Sequence, residues 1–160
     1  IKKLTQGGID YFHPAFRDED GKTRILYLWN QNIDGESAEG REPLGYGYGA
    51  QYDSSDINSA LDTGNRGFSE MLVPASDGLS GHGTAVASIA AGSRNSQSGG
   101  IAYESEIIAV ALKRTGGSDG GYTRTIDIME GIDYALRKAI ELNMPIVINL
   151  SFGTNEPPFP

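Results

Sequence analysis

Ile107-Ile108-Ala109-Val110-Ala111-Leu112 is a short, unbroken apolar run. It predicts a strand buried on both faces, as in a parallel sheet covered by helices above and below. The glycine-rich stretch Gly116-Gly117-Ser118-Asp119-Gly120-Gly121 then interrupts regular structure. No Lys-Ser/Thr follows it and it opens no dinucleotide-binding fingerprint, so it reads as a flexible loop rather than a phosphate cradle. Beyond it the spacing predicts a helix from about Thr125 to Asn143, with Ile126, Met129, Ile132, Leu136, Ala139 and Ile140 on one inward face. Asp127 and Glu130 suit a capping box at its start, and Asn143 and Pro145 are stop signals. Ile146 to Leu150 predicts a second buried strand. Strand, helix and strand make a βαβ crossover with parallel strands.

Ahead of this unit lies Ser80-Gly81-His82-Gly83-Thr84-Ala85-Val86-Ala87-Ser88-Ile89-Ala90-Ala91-Gly92. A lone histidine sits between two glycines where an apolar, alanine-rich helix begins. The glycines let other backbone, or a substrate, come close to the ring. The positive end of the helix dipole favours a neutral imidazole, which is what a general base near neutral pH requires. The helix adds a layer against the sheet, with Val86, Ile89 and Ala90 expected inward. The chain therefore reads as α/β: a three-layer open sheet, mostly parallel, with functional groups at the C-terminal ends of its strands. Arg24 to Trp29 predicts a further strand, Tyr46-Gly47-Tyr48-Gly49 a loop or hairpin, and Asp56 to Leu61 a short helical piece.

The length of 160 residues suits one domain with one sizeable core, and the net charge of -8 disfavours nucleic acid and anionic membranes as partners. Absence of cysteine removes disulfides, thiolate metal sites and cysteine nucleophiles together. No stretch is apolar for the length of a membrane span, and Ile1-Lys2-Lys3-Leu4-Thr5-Gln6 lacks the apolar core of a signal peptide. The start without methionine is expected of a processed or trimmed chain. Asp18-Glu19-Asp20-Gly21 lacks the ligand spacing and closing glutamate of an EF-hand and reads as a plain turn.

Four segments, in order, carry a resemblance. Gly81-His82-Gly83-Thr84, with Asp77 before it and the alanine-rich run after it, resembles the histidine motif of subtilisin-like serine peptidases. Gly8-Ile9-Asp10-Tyr11-Phe12-His13-Pro14-Ala15-Phe16 resembles the run after that family's catalytic aspartate, and Gly100 to Val110 its next loop and strand. Ile146-Val147-Ile148-Asn149-Leu150-Ser151-Phe152-Gly153 resembles the strand that pairs with bound substrate. The resemblance implies that residues 1–160 are a partial, incomplete subtilisin-like peptidase domain. The stretch from about Ile25 to Asp77 would be an insertion relative to compact members, of a kind seen in some bacterial ones. A secreted, cell-envelope or spore-associated bacterial protein is the location it suggests.

The same resemblance implies His82 as the catalytic base, and Ser151, Phe152 and Gly153 as substrate-binding, through edge pairing of the Ser151 and Gly153 backbone and a pocket wall from Phe152. It implies a peptide or protein substrate. No cofactor is called for by the residues, although the family often binds a structural calcium ion. The acid is the departure: in the family it lies two residues before Gly8, where this chain has Gln6, which cannot carry the charge that stabilises an imidazolium. Lys2 and Lys3 also stand where a buried strand needs apolar residues. Either the true strand and its aspartate are missing from this chain, or the protein is a catalytically inactive relative that binds peptide or regulates. Asp10 is the alternative acid, but in the family it is structural, and Asp77 is expected to anchor the loop before His82. No Gly-Thr-Ser-Met-Ala-like nucleophile motif follows His82, Ser151 matches the substrate strand instead, and Asn149 and Asn155 do not match the oxyanion asparagine. The chain alone is therefore expected to be inactive, and its open sheet edges to favour self-association.

Overall fold

The structure is a computed structural model that describes residues 2–5, 8–33, 40–75, 81–94, 99–115 and 123–151, with the backbone alone for 2–5. Its elements in chain order are β1 (Lys2–Thr5), a 3₁₀ turn (Pro14–Phe16), β2 (Ile25–Asn30), β3 (Ala50–Asp53), α1 (Ser54–Asp62), α2 (Arg66–Leu72), α3 (His82–Ala91), β4 (Ile107–Ala111), α4 (Thr125–Glu141) and β5 (Ile148–Leu150). Five strands form one sheet in the order β3-β2-β4-β1-β5. β2, β4, β1 and β5 are parallel, and β3 runs antiparallel at one edge.

The apolar run of β4 is buried throughout because alternate side chains feed two cores. Ile107 and Ala109 join Ile25, Leu28, Ile57, Leu61, Ala87 and Ala91 on the α1–α3 side. Ile108 and Val110 join Trp29, Leu112 and Tyr134 on the α4 side. This is the expected three-layer α/β sandwich. Trp29 centres the second core, its ring 4.7 Å from Tyr46 and 5.0 Å from Tyr134. Gly49, at φ +74, lets the 43–49 segment pass so close to the indole that a Cβ there would collide with it. The Tyr46–Gly49 segment thus packs on the core and on α4, where Tyr48 Oη donates to Glu130 at 2.5 Å and Tyr46 Oη to Asp133 at 2.7 Å. α1 starts directly from β3 under a capping box of Asp53 and Asp56, both paired to Arg41.

Several expectations are corrected. Lys2–Thr5 does form a strand, and it lies inside the sheet, pairing Lys2 with Ile108 on one side and Ile148 on the other. Its backbone ladder to two neighbours overrides the unfavourable composition. α4 packs Ile132 and Ala139 inward as expected, together with Asp127, Gly131, Tyr134 and Ala135, while Ile126, Met129, Leu136 and Ile140 are exposed. Its cap is Asp127 accepting from the Arg124 backbone and guanidinium, not a box with Glu130. α3 buries Gly83, Ala87 and Ala91 and leaves Ile89 at 70% exposure, since only small residues fit its close approach to the sheet. β5 is shorter than expected and stands at the sheet edge, with Leu150 exposed. α2 had no counterpart in the sequence reading.

Candidate active site

His82 is the first residue of α3, and the residue before it, Gly81, adopts the left-handed conformation at φ 58. A side chain at 81 would strain that turn, so the glycine sets the angle at which the helix and its histidine enter. The imidazole is exposed. Its Nε2 lies 3.1 Å from the carbonyl oxygen of Ser151, immediately beyond β5. Two residues singled out separately in the sequence, 69 positions apart, therefore meet at one point. β5 borders β1, whose last residue, Thr5, precedes the position matched to the family's acid. His82, Ser151 at the end of β5 and the end of β1 lie at one end of the sheet.

A carbonyl oxygen only accepts, so the His82–Ser151 contact requires a proton on Nε2. A triad base needs the opposite arrangement, Nε2 bare and Nδ1–H held by an acid. The Ser151 hydroxyl accepts from Asn149 Nδ2 at 2.8 Å, and so faces away from a nucleophile's role towards its own strand. Gln6, Asp77, Phe152, Gly153 and Asn155 lie outside the described residues, as does the whole of the 116–121 loop.

The turn after β1 is fixed by polar contacts that local sequence patterns do not announce. Asp10 N–H donates to Thr84 Oγ1 at 2.8 Å, and Ile9 N–H to the Ala75 carbonyl at 3.0 Å. The Asp10 carboxylate accepts from Phe12 N–H at 3.1 Å and from Arg66 Nη2 at 2.8 Å. It is thereby committed to the turn and to α2, in the structural part expected of it. Close by, burial raises the Glu70 carboxyl above the usual carboxylate range, with Asp10 adding to the effect and the Ala75 backbone and Arg66 opposing it. Burial likewise raises the Tyr11 phenol, followed by the charge of Glu70. Arg66 and Thr84 were missed because their partner is 56 and 74 residues away, and neither sits in a spacing pattern with it.

An open groove of about 1210 Å³ lies at the other end of α3, lined among others by His13, Arg17, Arg24, Ser93 and Tyr103, and holds none of the expected site residues. Arg24 ties its walls together, donating to the Ala91 carbonyl at 3.0 Å, Ser93 Oγ at 2.7 Å and the Ser105 carbonyl. Burial lowers that guanidinium's pKa. The Asp18–Gly21 stretch is a turn whose Asp18 carboxylate accepts from the Asp20 and Lys22 amides. Among the described residues no group of three or more His, Asp or Glu is placed to hold a metal ion, and no helix is long and apolar enough to cross a membrane.

The subtilase family model matches residues 6–159. Among solved structures, the Clostridium perfringens CspB protease superposes with a TM-score of 0.74 at 34% identity, over 98% of this chain and 29% of that one. The chain thus spans less than a third of the length of that structure. No curated protein matches. Four sequence motifs, a mostly parallel sheet that brings His82 to Ser151 at the end of β5, and a family match over nearly every residue agree, and the chain belongs to the subtilase family.

Proposed function

We propose that this chain is the N-terminal part of a subtilisin-like serine endopeptidase domain, with His82 as the general base. The observation that carries this reading is the exposed imidazole at the start of α3, 3.1 Å from the Ser151 carbonyl at the end of β5. A serine supplied by the remainder of a longer polypeptide would give its hydroxyl proton to His82 Nε2 while its oxygen adds to the peptide carbonyl. The C–N bond then breaks, His82 returns the proton to the departing amine, and water releases the acyl group by the same route. Ser151, Phe152 and Gly153 would bind the peptide as an added strand, which suits the edge position of β5. The region from about Ile25 to Asp77 would be a family insertion elaborated around the sheet strand β2. By itself the chain is inactive, and its exposed Ile140, Met144, Val147 and Leu150 favour self-association.

A second reading is a catalytically silent relative that binds peptide or regulates. What favours it is Gln6, which directly follows β1 at the position matched to the family's acid. The test is labelling of the full-length polypeptide by a fluorophosphonate, which reacts with an activated serine. The peptidase reading expects labelling, and His82→Ala should lower hydrolysis by about 10²-fold, the part of the triad's contribution left when its acid position holds glutamine. No labelling of the full-length protein supports the silent relative. Labelling of residues 1–160 alone would overturn the inactivity of this chain.

A further inference from the structure

We propose that Lys113 and Arg114, just past the end of the central strand β4, select peptides that carry an acidic side chain about four residues from the one paired with Ser151. The inference rests on the reading of Ser151 as peptide-binding, which the peptidase and the silent relative share.

The chain has a net charge of -8, and most of its cations are taken up by its own carboxylates. Lys22, Arg41, Arg66, Arg124, Arg137 and Lys138 are each ion-paired. Arg114 differs. It is exposed, and among the described residues it is the one cation whose side chain makes no ion pair, hydrogen bond or ring contact. Lys113 beside it is ion-paired to no described carboxylate, and its Nζ lies 5.2 Å from the centroid of the Tyr48 ring. The Asp127 carboxylate near Lys113 is already held by Arg124 Nε at 2.8 Å and Nη2 at 2.6 Å.

The backbone beneath the two cations is fixed by side-chain amides. Lys113 N–H donates to Gln31 Oε1 at 2.8 Å, and Arg114 N–H to Asn32 Oδ1 at 2.9 Å. Gln31 is 1% exposed, and its Nε2 donates to the Asp127 carbonyl of α4 at 3.0 Å. Asn32 Nδ2 donates to the Leu112 carbonyl at 3.1 Å. A buried amide bonded at both its atoms holds geometry, so little backbone order remains to be lost when a ligand arrives.

Both cations stand at the end of the sheet where open α/β folds collect their functional groups. Leu4 pairs with Val110 on one side and Leu150 on the other, so Ser151 is level with Ala111, two strands away. Lys113 lies two residues further on. Strand spacing and rise then put its Cα about 12 Å from that of Ser151. Four extended residues span about that distance. An acidic side chain there meets two cations without ion-pair partners, whereas a basic one is repelled, and charges at a binding rim act mainly on such discrimination.

The experiment uses the full-length polypeptide and fluorescein-labelled octapeptides, otherwise neutral, in which one glutamate is moved along the sequence and compared with glutamine at the same position. Initial fluorescence anisotropy should show binding about fivefold tighter with glutamate at one position or two neighbouring ones. The difference should vanish in about 0.5 M salt. Arg114→Glu should abolish the preference, and adding Lys113→Glu should turn it into one for lysine. Arg94→Glu makes the same change of charge at the other end of α3 and should leave the preference in place. Equal affinity for glutamate and glutamine at every position, a preference that survives the double reversal, or one lost equally in Arg94→Glu overturns the inference. Because the readout is binding, it is separate from the chemistry: a selected peptide that is neither hydrolysed nor accompanied by fluorophosphonate labelling sinks the peptidase reading and leaves this one standing. Failure of every peptide to bind overturns the selection, while labelling still decides the peptidase reading.

Discussion

α1 buries every apolar residue it has, Ile57, Ala60 and Leu61, whereas α4 leaves Ile126, Met129, Leu136 and Ile140 open to solvent. Both helices pack on the same sheet, α1 on one side with Ile25, Leu28 and Ile107, α4 on the other with Trp29, Ile108 and Val110. α1 is thus finished by its contact with the sheet and the turn 8–16. α4 has a second apolar stripe that its sheet contact does not use. A sequence pattern shows that a stripe is apolar, but not which neighbour covers it.

The same substitution on the two helices puts this to the sharpest test. Ile57 is fully buried and Ile140 is 78% exposed. In urea unfolding of the intact protein, Ile57→Ala should cost about 2–5 kcal/mol. Ile140→Ala should stay within about 0.5 kcal/mol of the parent. An equal cost at both sites would break the comparison, because it would mean that the outer face of α4 is packed in the intact protein. With a small cost, Ile140→Glu should instead lower the light-scattering mass of residues 1–160 if that face drives their self-association.

A smaller effect separates the loop that closes the α4 core from the core itself. Tyr48→Phe keeps the ring against Trp29, 5.4 Å between centroids, and deletes the bond to Glu130. Its expected cost is about 1 kcal/mol, read from the shift in urea midpoint at constant slope. A cost nearer that of Ile57→Ala would place the anchoring of the 43–49 segment in its hydroxyl rather than in its rings.

These contrasts also show where the sequence was informative. β4 was legible because five buried residues in a row leave no other reading, and the His82 helix because its glycines and alanines are local signals. The extent of α4 was nearly right, and Ile132 and Ala139 pack inward as expected, but Ile126, Met129, Leu136 and Ile140 do not. Those four form a stronger hydrophobic pattern than Tyr134 and Ala135, yet the alanines and the tyrosine face the sheet, where close approach and the Tyr134 bond to Gln51 decide. β1 was hidden by its lysines, because pairing with two neighbours is a property of the sheet and not of the segment. His82 and Ser151 were each visible through motif resemblance, and their contact needed the fold. The Arg66–Asp10–Thr84 junction had no local signal at all.

The smallest expected effects are in the pH dependence of stability, and they have opposite signs on the two sides of the sheet. On α4, Asp133 is held below its ordinary value of 3.8, first by the Tyr46 hydroxyl and then by Arg137. Between its folded and unfolded pKa the unfolded chain binds more protons, so its contribution is complete above the ordinary value and is lost as pH falls through the lowered one. On α2, burial raises Glu70 above its ordinary 4.5, and there the folded chain binds more protons. Its effect on stability is therefore absent at low pH and becomes unfavourable as pH rises from 4.5 through the raised pKa. Asp133→Asn should lower the thermal midpoint at neutral pH and match the parent in strong acid. Glu70→Gln should raise the midpoint at neutral pH and match the parent below the ordinary glutamate range. Parallel shifts of both variants in the same direction at neutral pH would show that Glu70 finds compensating partners when ionised. The contrast would then lie in packing alone, with the sheet's two sides equivalent in charge.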